Sequence, residues 1–308
     1  MAGIQRLLQG LVFLLLVFNI SAATEAGERA LKKRVAVFTF EDKTDQRYRW
    51  WDGKSVGQGM ADMLTTALVK TGKYIVLERS EIDRILAEQD LGTSGIVTPE
   101  SAAKIGKMLG VELAVIGAVT EFGWAKSDVG GRLKGIGIGV KSQSATVAVD
   151  VRLVNTSTGE IVAADNVRKS KSKKGLRLRT QEFDFNSRAQ FDQSIVGKAT
   201  REAINQVVQL INKHAPKLPW QAKVVTSTGT AVIINAGANH GVKNGDRFVV
   251  YRPGEELIDP DTGLSLGTME SKIGVIEVIN NNIGNGKASQ CKIISGQDFK
   301  RGDLVREK

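Results

Sequence analysis

The sequence predicts an α/β protein: helices packed on a mixed β-sheet with two extended β-hairpins, followed by a small all-β barrel domain. Three observations carry this expectation. Over residues 33 to 119, short β-branched runs alternate with helical repeats in the order β-α-β-α-α-β, which packs naturally as helices on a twisted sheet. From 121 to 186, period-two alternation and glycine-rich or basic stretches take over. Beyond Pro216 and Pro219 no helical repeat of useful length returns, and short strands are punctuated by turns. The implied division is a leader at 1–23, an α/β domain at 24–215, a linker at 216–220 and a small β-barrel at 221–308.

Arg6 supplies a positive start, Leu11 to Phe18 an apolar run, and Ser21-Ala22-Ala23 small residues for a signal peptidase. The apolar run is short of the roughly 20 residues a membrane helix needs, so a cleaved signal peptide is expected. An uncleaved anchor helix is the alternative, because Ile20 is unhelpful to cleavage. The only cysteine is Cys291, far from the apolar run, so no lipid anchor is expected. This places the mature chain, about 285 residues, in the periplasm.

Val35 to Phe40 reads as a buried strand. Val56, Met60, Met63, Leu64, Ala67 and Leu68 recur at helical spacing, with Gly72 as the stop. Tyr74 to Leu77 is a second strand. Ser80 reads as the cap of a helix carrying Ile82, Ile85 and Leu86, with Asp83 three residues on. Thr98-Pro99-Glu100 is an N-cap, an N1 proline and a first-turn acid, and Gly110 closes that helix. Leu113 to Val119 is a third buried strand. Val147, Val149, Val151 and Leu153 then alternate with polar or small residues, and Asn155 to Gly159 turns the chain back into Ile161-Val162-Ala163. Flanking this pair, 123–144 and 165–186 are the two extended hairpins. Val196, Ala199, Ala203, Val207 and Leu210 stripe a long helix. In the last domain, Phe248 to Tyr251 and Ile273 to Val278 are the clearest strands, separated by turns such as Lys243-Asn244-Gly245-Asp246.

Composition limits the chemistry. With 42% hydrophobic residues and 5 prolines the chain reads as globular. One cysteine permits no internal disulfide. His214 and His240 are the only histidines, so metal clusters and histidine triads have little to be built from; no enzyme activity, metal or cofactor is expected. The formal net charge is +10, and residues 121–180 hold twelve basic residues against five acids. Outside the cytoplasm that excess points away from nucleic acid and toward lipopolysaccharide phosphates, anionic wall polymers or an acidic protein. Arg168, Lys169, Lys171, Lys173, Lys174, Arg177 and Arg179 are the anionic-partner candidates; a merely solvated face is the bland alternative.

Gly135 to Ser142 superficially looks like a phosphate loop, but Val140 stands where the Walker pattern needs glycine, so a strand is the better reading. Asp259 to Gly263 looks like the opening of a calcium loop without its closing acid, and a hairpin turn is favoured. Tyr48, Trp50 and Trp51, flanked by Arg47 and Arg49, form a loop suited to binding. The alternative is that the tryptophans cap a nearby core.

Taken together, Arg34 to Thr44, Leu77-Glu78-Arg79, Ile85 to Gln89 and Val154 to Ile161 resemble the curli-type secretion channel family (CsgG-like) over residues 33 to 213. The resemblance implies a periplasmic domain that assembles into a homo-oligomeric ring, whose protomers extend hairpins into a shared outer-membrane barrel. It also implies that Tyr48, Trp50 and Trp51 form a constriction loop, although the family's asparagine-phenylalanine pair is absent. The segments Gly241 to Asp246, Asp259 to Gly263 and Arg301 to Val305 resemble the C-terminal domain of flagellar assembly protein T, implying a docking barrel. Against membrane insertion, neither face of 165–173 is apolar, and a Lys or Arg on the lipid side costs about 2–4 kcal/mol at the midplane. The expected function is a periplasmic or outer-membrane component of a curli-type secretion or surface-structure assembly apparatus. The alternative is a pore-free structural adaptor of a flagellar or other envelope machine, docking through its basic hairpin and C-terminal barrel.

Overall fold

A central sheet organises the first two thirds of the chain, with its strands in the order β3 (Tyr74–Val76), β1 (Lys33–Val37), β4 (Leu113–Leu133), β5 (Ile136–Asn155) and β6 (Ile161–Gly175). The computed structural model describes residues 31–44, 50, 52–88, 97–133, 136–175, 187–261 and 265–308. The expected leader at 1–23, Tyr48, Trp51, and residues 176–186 of the second hairpin lie outside the described residues. β1 (Lys33–Val37) runs parallel to β3 (Tyr74–Val76) and to the start of β4 (Leu113–Leu133), and β2 (Glu41–Asp42) adds a short parallel pairing with β4. β4, β5 (Ile136–Asn155) and β6 (Ile161–Gly175) are antiparallel, so the sheet is mixed.

Local signals set the helices. α1 (Val56–Thr71) starts at a capping box of Ser55 and Gln58 and stops at Gly72, whose φ of 66° suits glycine. α2 (Arg79–Glu88) begins one residue before the expected Ser80 cap, within the usual scatter of helix ends. α3 (Pro99–Leu109) carries the expected Thr98 cap, its N1 proline and the Gly110 stop. α4 (Arg188–Gln193) and α5 (Ile195–His214) follow, with Ser194 capping the long helix.

Both sheet faces are covered, which is why β1 ends in the apolar run Val35-Ala36-Val37. Leu64, Leu68, Val196, Ala203 and Val207 of α1 and α5 pack on Val35, Val115, Val149 and Leu153. Ile82 and Ile105 of α2 and α3 pack on Ala36, Phe38, Ile116 and Val154 across the sheet. The expected strand through Phe40 ends at Val37; Phe38 and Phe40 leave it and anchor opposite cores. The approach of α1 requires Gly57, where a Cβ would lie 1.9 Å from the Phe40 carbonyl oxygen.

The final six strands close into a barrel in the order β10-β11-β8-β7-β12-β9. They are β7 (Ala222–Ser227), β8 (Ala231–Ile234), β9 (Arg247–Ile258), β10 (Ser265–Ile283), β11 (Ala288–Gly296) and β12 (Leu304–Glu307). Val224, Val232, Ile234, Phe248, Val250, Ile276, Val278, Cys291 and Val305 are buried in it. The segment between body and barrel is no loose tether. Ala215–Lys217 forms a 3-10 turn, and Trp220, 3% exposed, stacks on Phe248 at 5.1 Å. Residues 32–308 form one compact unit.

Candidate functional site

The sheet carries a long two-stranded ribbon built from β4 and β5. β4 and β5 stay paired from Leu113 opposite Asn155 to Leu133 opposite Ile136, with one register shift between Val119 and Glu121. Among the described residues the last core positions on this ribbon are Phe122, Trp124 and Ala145. From Ala125 to Leu133 the strand continues for about 30 Å more. In this distal part Val129 pairs with Val140, Gly131 with Ile138 and Leu133 with Ile136, one register row; Asp128 pairs with Lys141, Gly130 with Gly139 and Arg132 with Gly137, the other row. Residues 136–142 of the segment that superficially resembled a phosphate loop are thus part of β5.

Nearer the body, β6 pairs with β5 from Val154 opposite Ile161 out to Lys141 opposite Gly175. On the helix side, Ala145, Val147, Val149 and Val167 are buried with residues of α5, Asp165 accepts a hydrogen bond from Gln206 Nε2 at 3.4 Å, and Lys171 pairs with Glu202 at 2.6 Å. On the opposite side, Arg168 pairs with Glu121 at 2.9 Å, Thr146 and Ser170 hydroxyls lie 3.0 Å apart, and Asn166 donates to Asp150. The expected basic stripe is therefore divided. Lys169, Lys171 and Lys173 share one strand face and Arg168 the other, Lys174 pairs along the backbone with Ser142, and Arg177 and Arg179 lie outside the described residues.

Trp50 departs from the constriction-loop expectation. It is 6% exposed and packs between Phe122 (ring centroids 5.8 Å apart) and Phe191 (4.7 Å). Gly59 makes the slot, since a Cβ there would sit 2.3 Å from the indole. A large aromatic surface gains more from this apolar slot than from water, so in this chain Trp50 caps the core. The turn after it is fixed by Trp50 N–H to the Lys54 carbonyl and Gly53 N–H to the Trp50 carbonyl, both 2.9 Å.

A polar clamp that sequence reasoning missed joins body and barrel. Glu112, 6% exposed at the entry to β4, accepts from Arg34 N–H at 2.7 Å and from Gln221 N–H at 3.2 Å. Arg34 Nη2 donates to the Asn235 carbonyl at 2.9 Å, and its Nε lies 3.3 Å from His240 Nε2. Gly237 N–H faces His240 Nδ1 at 3.3 Å, and Lys32 N–H donates to the His240 carbonyl at 2.9 Å. A neutral imidazole accepts at only one ring nitrogen, and here both face donors. Burial, with Arg34 and Lys32 nearby, accordingly holds His240 down at about 4. Burial raises the Glu112 carboxyl, outweighing its hydrogen bonds and Arg34, and lowers Arg34 itself. A lone acid between Val111 and Leu113 has no periodic signature. His240 stands out in the sequence only as one of two histidines.

Beside the clamp lies a cleft of about 620 Å³, lined on the body side by Arg34, Lys107 and Glu112 and on the barrel side by Lys223, Glu270 and Arg306. Lys107 of α3 reaches Glu256 of β9 at 2.7 Å, a second tie between the two parts.

Among the described residues no helix is long and apolar enough to cross a membrane, which leaves crossing by strands open. The family model described as curli production assembly/transport component CsgG matches residues 18–231. The component of that description from Salmonella typhimurium is 29% identical over 146 residues, covering 44% of this chain and 52% of the relative. The one from Escherichia coli K12 gives the same figures. The chain thus spans about half the length of the curated relatives it matches. A solved hypothetical protein of Chlamydia trachomatis is similar at 13% identity with a TM-score of 0.39, over 59% of this chain and 97% of that one. The match at 18–231 takes in more than half of the residues and the whole α/β body: the chain belongs to the family of the curli production assembly/transport component CsgG.

Proposed function

We propose that this chain is a periplasmic, outer-membrane-associated component of a curli-type secretion or surface-structure assembly apparatus, working as architecture and not as a catalyst. The leader is removed, and the mature chain forms a homo-oligomeric ring whose β4–β5 hairpins enter the membrane. The observation that carries this is the β4–β5 pairing that continues beyond Trp124. A tilted membrane strand needs about 9–11 residues, close to the reach of 125–133 and 136–144. Val129, Leu133, Ile136, Ile138 and Val140 share a register row free of charge, while Asp128, Arg132 and Lys141 share the other. That division suits lipid on one side and water on the other. A single hairpin leaves its outer edges unpaired, which lipid does not tolerate, so several copies must close the wall together. Tyr48 and Trp51 narrow the aperture, with Trp50 as their buried anchor. Insertion is tested on outer-membrane fractions. Resistance to high salt and carbonate, together with a central hole in images of detergent-extracted particles, is the expected result. A chain that stays monomeric in detergent refutes the ring.

A pore-free adaptor of an envelope machine is the second reading, favoured by the lysines of β6. Lys169, Lys171 and Lys173 on one strand face disfavour lipid there, and such a stripe suits an anionic partner, with the barrel docking to a protein. Release from membranes by salt alone supports the adaptor, because screening removes peripheral electrostatic attachment.

A further inference from the structure

We propose that the cleft between body and barrel is a binding site for carboxylate-bearing ligands. Most of its barrel wall lies beyond the residues that the family match covers, so the site goes beyond the function proposed above. A volume near 620 Å³ falls within the range of ligand pockets, about 300–1,000 Å³. The argument lies in which polar groups are already satisfied. Each of the three acids on the walls is engaged: Glu112 by two backbone N–H groups, Glu256 by Lys107 at 2.7 Å, and Glu270 by both terminal nitrogens of Arg306 at 2.6 and 2.7 Å. The donors are not exhausted. Among the described residues Arg306 Nε is buried without a hydrogen-bond partner, and Arg34 Nη1 and the exposed Lys223 amine have no acceptor. The three carboxylates are engaged while donors remain, so a complementary ligand brings acceptors and negative charge. Val111, Pro219, Pro253 and Leu304 add apolar wall, which suits a carboxylate carried on an aliphatic stem.

The probes are fluorescein-labelled tetraglutamate and free glutarate, with labelled tetralysine as the opposite charge, measured by anisotropy and competition on the full mature chain. Tetraglutamate binds, glutarate competes, and K223E weakens both at least tenfold. Among the described residues Lys223 is exposed and has no ion pair to lose, so this variant is expected to fold. The double variant E270Q/R306Q, which avoids a stranded Glu270, weakens both by a similar factor. K198E, at an exposed position of α5 outside the cleft lining, leaves binding unchanged. Tighter binding of the peptide than of glutarate assigns the carboxylate to a peptide segment, and equal binding per carboxylate assigns it to a free acid; either supports the site. No binding at millimolar probe, tetralysine bound as tightly, or an equal loss in K198E overturns it.

Discussion

Acidification should loosen this fold through His240. The ring is 6% exposed, sits between Arg34 and the Gly237 N–H, and titrates near 4 instead of 6.5. Above pH 6.5 the imidazole is neutral in both folded and unfolded chains and adds no pH dependence. Between 6.5 and about 4 the unfolded chain takes up a proton that the folded chain refuses, so stability falls as the pH falls. At 1.36 kcal/mol per unit the full gap corresponds to about 3.4 kcal/mol. Solvent in the neighbouring cleft screens part of this, and about 2 kcal/mol is the expected loss. Glu112 works in the opposite sense. Its raised carboxyl contributes most below its ordinary 4.5, and that contribution is lost as pH rises through the raised value. The measurement is therefore a difference between two proteins. H240Q keeps an acceptor for Arg34 without a titrating ring. Urea unfolding at pH 7.5, 6.5, 5.5 and 4.5 should show the wild type losing about 2 kcal/mol relative to H240Q across that range. Parallel pH profiles for the two proteins would refute the reasoning.

The remaining predictions test the core, the ribbon and the barrel. G57A puts a methyl 1.9 Å from the Phe40 carbonyl oxygen and should cost about 1–3 kcal/mol in denaturant unfolding; an unchanged midpoint rules out the close approach. W50A empties the slot between Phe122 and Phe191 and should cost about 3–5 kcal/mol. A stable W50A protein with altered conductance would instead return Trp50 to the aperture. I138R places a charge in the apolar register row and should shift insertion into lipid vesicles by about 2–4 kcal/mol, read as loss of the carbonate-resistant fraction, whereas R132K on the other row should not. Burial pushes the Cys291 thiol up to about 12, so maleimide labelling should require unfolding; prompt labelling of the native chain contradicts the closed barrel interior.

What the sequence revealed follows from how local each signal is. Thr98-Pro99, Gly72 and Gly110 act on their own helix ends, so they read directly and appear as caps and stops. The alternation from Val147 to Leu153 is likewise local, since Val147, Val149, Val151 and Leu153 are buried while Asp150 and Arg152 are not. The distal half of β4 is different. Gly123, Gly130 and Gly131 and the charges among them blur any period, and the strand extends because β5 pairs with it position by position. Trp50 shows the same limit at a single residue. Next to Tyr48 and two arginines it reads as a binding loop, yet Phe122 and Phe191, which bury it, are distant in the chain.

The clamp carries the argument furthest, because nothing in its residues announces it singly. Pro216 and Pro219 read as a spacer between independent domains, an arrangement whose relative motion is the default expectation. Instead Trp220 stacks into the barrel while Glu112 takes the Gln221 and Arg34 N–H groups, tying the linker and β1 to one buried carboxylate. Apolar contacts alone would leave the approach loosely specified. Directional bonds from Arg34 to Asn235 and the His240 ring fix one orientation, since a buried acceptor left unpaired costs about 1–3 kcal/mol. A barrel held this way presents its outer surface at a set angle to the ribbon, and a partner that grips the barrel thereby orients the hairpin.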